Sequence, residues 1–138
     1  MTNRLYVFAA LIFVSSSALA VLAANAGATV TPAFRQPIAN VPGKSLTAVV
    51  VDYAPGAGSP PHRHAHSAFI YAYVLSGSIR SQVDDNPAKI YRAGESWSEP
   101  PGAHHKVSEN ASTSEPARLL AIFVANSEDQ SLTTPDAN

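Results

Sequence analysis

Apolar and polar positions alternate along much of this chain, and the period is that of strands. Residues 46–53, Leu-Thr-Ala-Val-Val-Val-Asp-Tyr, are rich in β-branched side chains, which suit a pleated, half-buried surface. Residues 62–76 read as one long strand-like run. Ala68, Ile70, Ala72 and Val74 fall on one face, and Ser67, Phe69, Tyr71, Tyr73 and Leu75 on the other. Further strands are predicted over 78–83, 89–92, 95–97, 105–110 and 118–125. Turn-forming residues separate them: the Pro/Gly loop 54–61, Gly77, Asp84-Asp85-Asn86-Pro87, Ala93-Gly94 and Pro100-Pro101-Gly102. No segment after Ala28 sustains an apolar helical period. Short strands with a turn every ~8–12 residues predict an all-β sandwich or barrel.

The flanks lack this alternation. Residues 27–44, with Pro32, Pro37 and Pro42, read as an extended arm leading into a barrel over 45–125. Residues 126–138 form a polar tail that is expected to fray. Residues 1–26 differ again. Arg4 is the only charge before Arg35, residues 5–14 are continuously apolar, and Ser15 to Ser17 lead into small residues. This is the layout of a cleaved secretory signal peptide, with cleavage after Ala20, Ala26 or Ala28. A membrane anchor is the alternative, but the strong apolar run is short against the ~20 residues that a span needs. The expectation is an exported protein, periplasmic or secreted, without stable membrane insertion after cleavage.

Composition narrows the classes. Hydrophobic residues make up 46% and charged ones 14%, so one packed core is within reach and disorder is not expected. A length of 138 residues suits a single domain, and no internal repeat is visible. The net charge of −1 gives no electrostatic reason to expect nucleic acid. With no cysteine, disulfides, thiolate metal sites, cysteine catalysis and a lipoprotein anchor are excluded.

All five histidines fall in two clusters. His62, His64 and His66 share a face if they lie on one strand, ~7 Å apart in sequence order. Neutral imidazoles are good ligands for Zn, Cu, Fe or Ni, and three of them on one face of a core strand are otherwise costly to bury. The alternative is a solvated loop end after Pro60-Pro61. His104 and His105 point to opposite faces, so one of the pair can face inward. A surface turn is the alternative there.

These residues carry a resemblance to the cupin family. Gly56, five residues, His62, Arg63 and His64 match the first cupin motif, with Gly77 as its closing glycine. Gly94, five residues, Pro100, Pro101, Gly102, two residues and His105 match the second, with Asn110 one residue late. The resemblance implies an all-β, double-sheet, jelly-roll-like barrel that holds one divalent metal ion. It implies that His62, His64 and His105 are ligands. The family's glutamate has no counterpart: counted from His64 its place falls on Ala68 or Phe69, and counted back from Gly77 on Ile70. Two residues could fill the gap. His66 is preferred on face and proximity, and Glu99, just before Pro100, is the other. An all-imidazole set points to Zn or Cu, and a set with Glu99 to Fe, Mn, Ni or again Zn.

Four further expectations follow. If Ala68, Ile70, Ala72 and Val74 face inward, then Phe69, Tyr71 and Tyr73 form an outward apolar face suited to a homodimer; a β-bulge would instead turn the tyrosines inside. Trp97 shares parity with Glu99 and either walls the site or belongs to the core. Asn110-Ala111-Ser112 fits the glycosylation sequon. A small-molecule ligand or substrate is expected, with Arg63, Tyr71 and Tyr73 as candidate contacts. The protein is then a metal-dependent enzyme of dioxygenase, isomerase or decarboxylase type, or a non-catalytic module that binds or senses a metal or small ligand.

Overall fold

The structure is a computed structural model and describes residues 27–137. The described residues contain eleven strands and no helix: β1 (Ala28–Pro37), β2 (Lys44–Tyr53), β3 (Gly58–Ser59), β4 (His62–His64), β5 (Phe69–Ser76), β6 (Ser78–Val83), β7 (Lys89–Arg92), β8 (Ser96–Glu99), β9 (His104–Asn110), β10 (Ala117–Asn126) and β11 (Thr133–Pro135). They form two antiparallel sheets. One runs β1-β2-β10-β5-β8, and the other runs β11-β4-β9-β6-β7 with β3 added on β9. From β4 onward the chain changes sheet at nearly every connection, so the two sheets close face to face as the expected jelly-roll-like barrel.

The alternation read along residues 68–75 holds. Ala68, Ile70, Ala72 and Val74 are each no more than 1% exposed, while Phe69, Tyr71 and Leu75 face outward. No bulge reverses the tyrosines: β5 keeps register with β10 from Phe69 to Val74. β10 alternates in the same way, burying Leu119, Ala121 and Phe123. One core cluster joins Val51, Tyr53, Val74, Ile79, Trp97 and Leu119; a second joins Ala68, Ile70, Ala121 and Phe123. Each large aliphatic side chain buried this way contributes roughly 1.5–3 kcal/mol. Gly77 joins β5 to β6 at φ +71°, and a Cβ there would lie 2.6 Å from the Pro116 carbonyl oxygen, so the turn admits no side chain.

Three expectations need correction. The run 62–76 is not one strand. β4 lies in one sheet and β5 in the other, and a turn closed by Ala68 N–H to Ala65 C=O (2.9 Å) carries the chain between them. Short, weakly apolar residues fit a turn as well as a strand, so the pattern could not show the break. The arm within 27–44 is extended as expected, but it is a ten-residue edge strand paired with β2. Its prolines are tolerated at an edge, and nearly every side chain is exposed, which leaves no burial period to read. The tail does not simply fray: β11 pairs with β4, and Leu132 packs against the second core cluster. Its order comes from backbone pairing that no side-chain pattern announces.

The expected signal peptide over 1–26 lies outside the described residues. Among the described residues no helix is long and apolar enough to cross a membrane.

Candidate metal centre

β4 and β9 are neighbours, with His62 and His105 as register partners. β4 aims His62 and His64 into the barrel, and β9 aims His105 across to them. One ligand nitrogen from each of the three lies within 4.8 Å of the others. The His62 ring stands 5.0 Å from that of His64 and 5.1 Å from that of His105, centroid to centroid. His64 and His105 are buried, and His62 is half-buried at the cavity side.

The opposite nitrogen of each ring is tied down. His62 Nδ1 is 2.7 Å from the Pro60 carbonyl oxygen. His64 Nδ1 is 3.2 Å from Thr133 Oγ1 and 3.4 Å from the Leu132 carbonyl oxygen. His105 Nε2 is 2.9 Å from Ser81 Oγ. These partners leave His62 Nε2, His64 Nε2 and His105 Nδ1 free to converge, as outer partners do for metal-bound imidazoles.

Glu99 completes the cluster. It ends β8 and is 2% exposed. Oε1 accepts the Trp97 indole N–H at 3.0 Å and lies 3.2 Å from His105 Nδ1. Oε2 comes within 2.9 Å of His64 Nε2, but the two are not aligned as a hydrogen bond, and both are buried without any hydrogen-bond partner. An ion bound beside this pair would engage a lone pair on each atom. A divalent cation fits three imidazoles and a carboxylate so placed.

Protonation is consistent with this. Burial pushes the His105 imidazole down to about 4; the Glu99 carboxylate opposes the shift, and His62 and His64 reinforce it. Burial likewise lowers His62 against the pull of the Pro60 carbonyl. For Glu99, burial alone would raise the carboxyl, but the His64 contact, the His105 and His64 charges and the Trp97 N–H together hold it below the usual range. Lowered imidazoles at His62 and His105 beside a lowered carboxylate at Glu99 suit a divalent ion, whose binding competes with protons at its ligands.

The structure separates the two candidates for the fourth position. His66 is not in the cluster. It lies in the turn after β4, exposed, with its ring against Gly102. The shared face fails because His66 is not on the strand that carries His62 and His64. Glu99 is buried against His64 and His105. His104 points away and pairs with Asp136 at 2.7 Å. Trp97 belongs to the core and also positions Glu99. Arg63, Tyr71 and Tyr73 do not line the cavity beside these histidines. Asn110 is 5% exposed, and its amide donates to the Ala54 and Glu115 carbonyls, so the sequon side chain is a structural brace.

Sequence reasoning missed Ser81, Leu132 and Thr133, which hold the rings. Ser81 left a trace, as a small polar residue on the inward parity of Ile79 and Val83. The backbone carbonyl of Leu132 left none. Beside the cluster opens a cavity of about 270 Å³, walled mainly by Val49, Val51, Ile70, Leu119 and Phe123.

Comparison with known proteins agrees with this geometry. A family model described as Cupin domain matches residues 49–123, more than half of the chain. The chain is 30% identical over 115 residues to Germin-like protein subfamily 2 member 2 of Arabidopsis thaliana, covering 80% of this chain and 51% of that protein. The chain therefore spans about half the length of the curated relative it matches. Among solved structures it is similar to a recombinant oxalate oxidase in complex with glycolate (TM-score 0.62, 24% identity, 82% of this chain and 57% of that one). It is also similar to an uncharacterized conserved protein with a double-stranded β-helix domain from Klebsiella pneumoniae (TM-score 0.63, 17% identity, 83% and 88%). At these identities the structural matches establish the fold.

Proposed function

The chain belongs to the cupin family, and we propose that it is an exported, metal-dependent cupin in which His62, His64, His105 and Glu99 hold one divalent transition-metal ion. The observation that carries this reading is the convergence of one nitrogen each from His62, His64 and His105 within 4.8 Å, with the buried Glu99 carboxylate against two of the rings. The missing first-motif carboxylate has a physical substitute. Ile70 stands where that carboxylate falls when counted back from Gly77, and Ile70 on β5 is the register partner of Glu99 on β8. The carboxylate reaches the same end of the barrel from the adjacent strand.

Three imidazoles and one carboxylate suit Fe, Mn, Ni or Zn. When bound, such an ion polarises an oxygen-bearing molecule and, if redox-active, exchanges electrons with it. Ser81, Thr133, Leu132 and Pro60 fix the rings, and Trp97 fixes the carboxylate. Purely structural metal sites are closed, whereas this cluster borders a cavity. That favours a role in which the ion meets a small molecule, by turnover or by binding.

Elemental analysis of protein purified without chelator or affinity tag tests the site, beside a His62→Ala/His105→Ala variant. About one metal per chain, lost in the variant, is expected. No metal in either protein after reconstitution would overturn the reading. A redox-active metal directs the next step to an oxygen-uptake screen, and zinc directs it to isomerisation, hydrolysis or binding. Export rests on residues 1–26, and N-terminal sequencing of the exported protein, expected to begin at Gly27, tests it.

A homodimer is proposed on the outer face of the five-stranded sheet. Phe69, Tyr71 and Tyr73 of β5 lie on that face, with Phe69 44% and Tyr71 41% exposed, and Phe34 of β1, 51% exposed, shares the cross-strand row of Tyr71. A contiguous apolar face of this kind is usually covered. Light scattering should give twice the chain mass for the wild type and a monomer for Tyr71→Lys.

A further inference from the structure

We propose that the molecule this centre receives is a small apolar compound carrying a single oxygen donor group, and not a dicarboxylate. The inference rests on the metal reading above and adds the substrate class. The cavity beside the centre holds about 270 Å³. A dry, apolar cavity of ~150 Å³ accepts benzene, so this one has room for a substituted ring or a branched chain. Its walls are aliphatic and aromatic, with Val49 and Val51 from β2, Leu119 and Phe123 from β10, and Ile70 from β5.

Charge decides the class. Among the described residues no Lys or Arg lines the cavity, and the only carboxylate there is Glu99. A ligand carboxylate on the metal would be compensated by the ion. A second carboxylate would face hydrocarbon walls, with one carboxylate already nearby, and would be buried without a counter-charge. Away from the histidines the polar side chains of the lining are hydroxyls. Tyr53 Oη sits 2.8 Å from Ser108 Oγ and 3.3 Å from Ser59 Oγ, so these hydroxyls largely satisfy one another. Burial pushes the Tyr53 hydroxyl up, which keeps it protonated. One end of the cavity thus takes an oxygen donor, and the remainder takes an uncharged apolar body.

Titration calorimetry of the full chain, loaded with zinc and checked for metal content before and after, tests this with matched carboxylates. Affinity should rise from acetate to butyrate to benzoate, by at least ~10-fold overall, because each step buries more apolar surface. Succinate should bind at least ~10-fold more weakly than butyrate, since a carboxylate replaces the terminal methyl. Trp97 is the sole tryptophan and hydrogen-bonds Glu99, so its emission gives an independent readout of the same titrations. Val49→Lys supplies the missing cation and should reverse the preference for butyrate over succinate. Equal affinities along the acetate-to-benzoate series, or succinate as tight as butyrate in the wild type, would overturn the proposal while leaving the metal centre standing. If the chain takes up no metal, toluene binding to the metal-free protein, followed by ligand-observed NMR, separates the two ideas. Uptake supports the apolar class without the metal; no uptake removes both.

Discussion

His64 and His66 are two residues apart and His104 and His105 are neighbours, but each pair divides between the inside and the outside of the barrel. His64 and His105 meet Glu99 in a buried cluster. His66 rests against Gly102 in an exposed turn, and His104 pairs with Asp136 on the other side of β9. The four side chains have the same chemistry. What separates them is strand membership and parity. A ring joins the centre only if its strand lies in the right sheet and its Cβ points inward.

The sharpest way to break this comparison is at Glu99, the residue that ties the inner rings together. Glu99→Gln keeps the size and an acceptor for the Trp97 indole but removes the charge. It should lower metal affinity by at least ~10-fold, the low edge of what even outer partners of metal ligands cost. Competition with a chromophoric chelator measures it. Ile70→Glu added to that variant places a carboxylate on the register partner, and should recover part of the loss if position across the ladder is what matters. No recovery would mean that β8 supplies a geometry β5 cannot.

A smaller effect is expected at the ties behind the rings. Thr133→Val removes the hydroxyl facing His64 Nδ1 and leaves the Leu132 carbonyl. Metal affinity should fall by about tenfold or less, in the low range for such partners. The same loss from truncation before Thr133 would assign β11 this orienting role.

The outer rings give the contrast. His66→Ala and His104→Ala should keep full metal content in elemental analysis. Losing the partly exposed His104–Asp136 pair should cost under ~1 kcal/mol in denaturant unfolding. Gly102 sharpens the point. It sits at φ +74°, so Gly102→Ala should cost about 1–3 kcal/mol by forcing a side chain into the left-handed region. A Cβ there would also lie 2.8 Å from His66 Nδ1, but that ring can swing away. Adding His66→Ala should therefore recover only a small part.

Much of this was legible before any coordinates. Through their resemblance to the cupin motifs, Gly56-x5-His62-x-His64 and Gly94-x5-Pro100-x-Gly102-x2-His105 marked the three histidines that converge. The alternation at Ala68, Ile70, Ala72 and Val74 marked the inner face of β5, because a strand with one buried face must repeat every second residue. The fourth member was harder. Glu99 shows in the sequence only by its place before Pro100 and its parity with Trp97, and His66 competes with it on face and proximity because the turn at 65–68 is invisible to a period of two.

The sequence by itself determined the all-β class and most of the central strands with their inward faces, since these depend on local spacing and on which side chains water excludes; its resemblance to the cupins picked out the three histidines. Only the tertiary structure brought Glu99 against His64 and His105, tied the rings through Ser81 and Thr133, paired the polar tail with β4 and gathered the apolar walls of the cavity. Those features join residues tens of positions apart through backbone pairing and packing. Neither leaves a periodic signature in the chain.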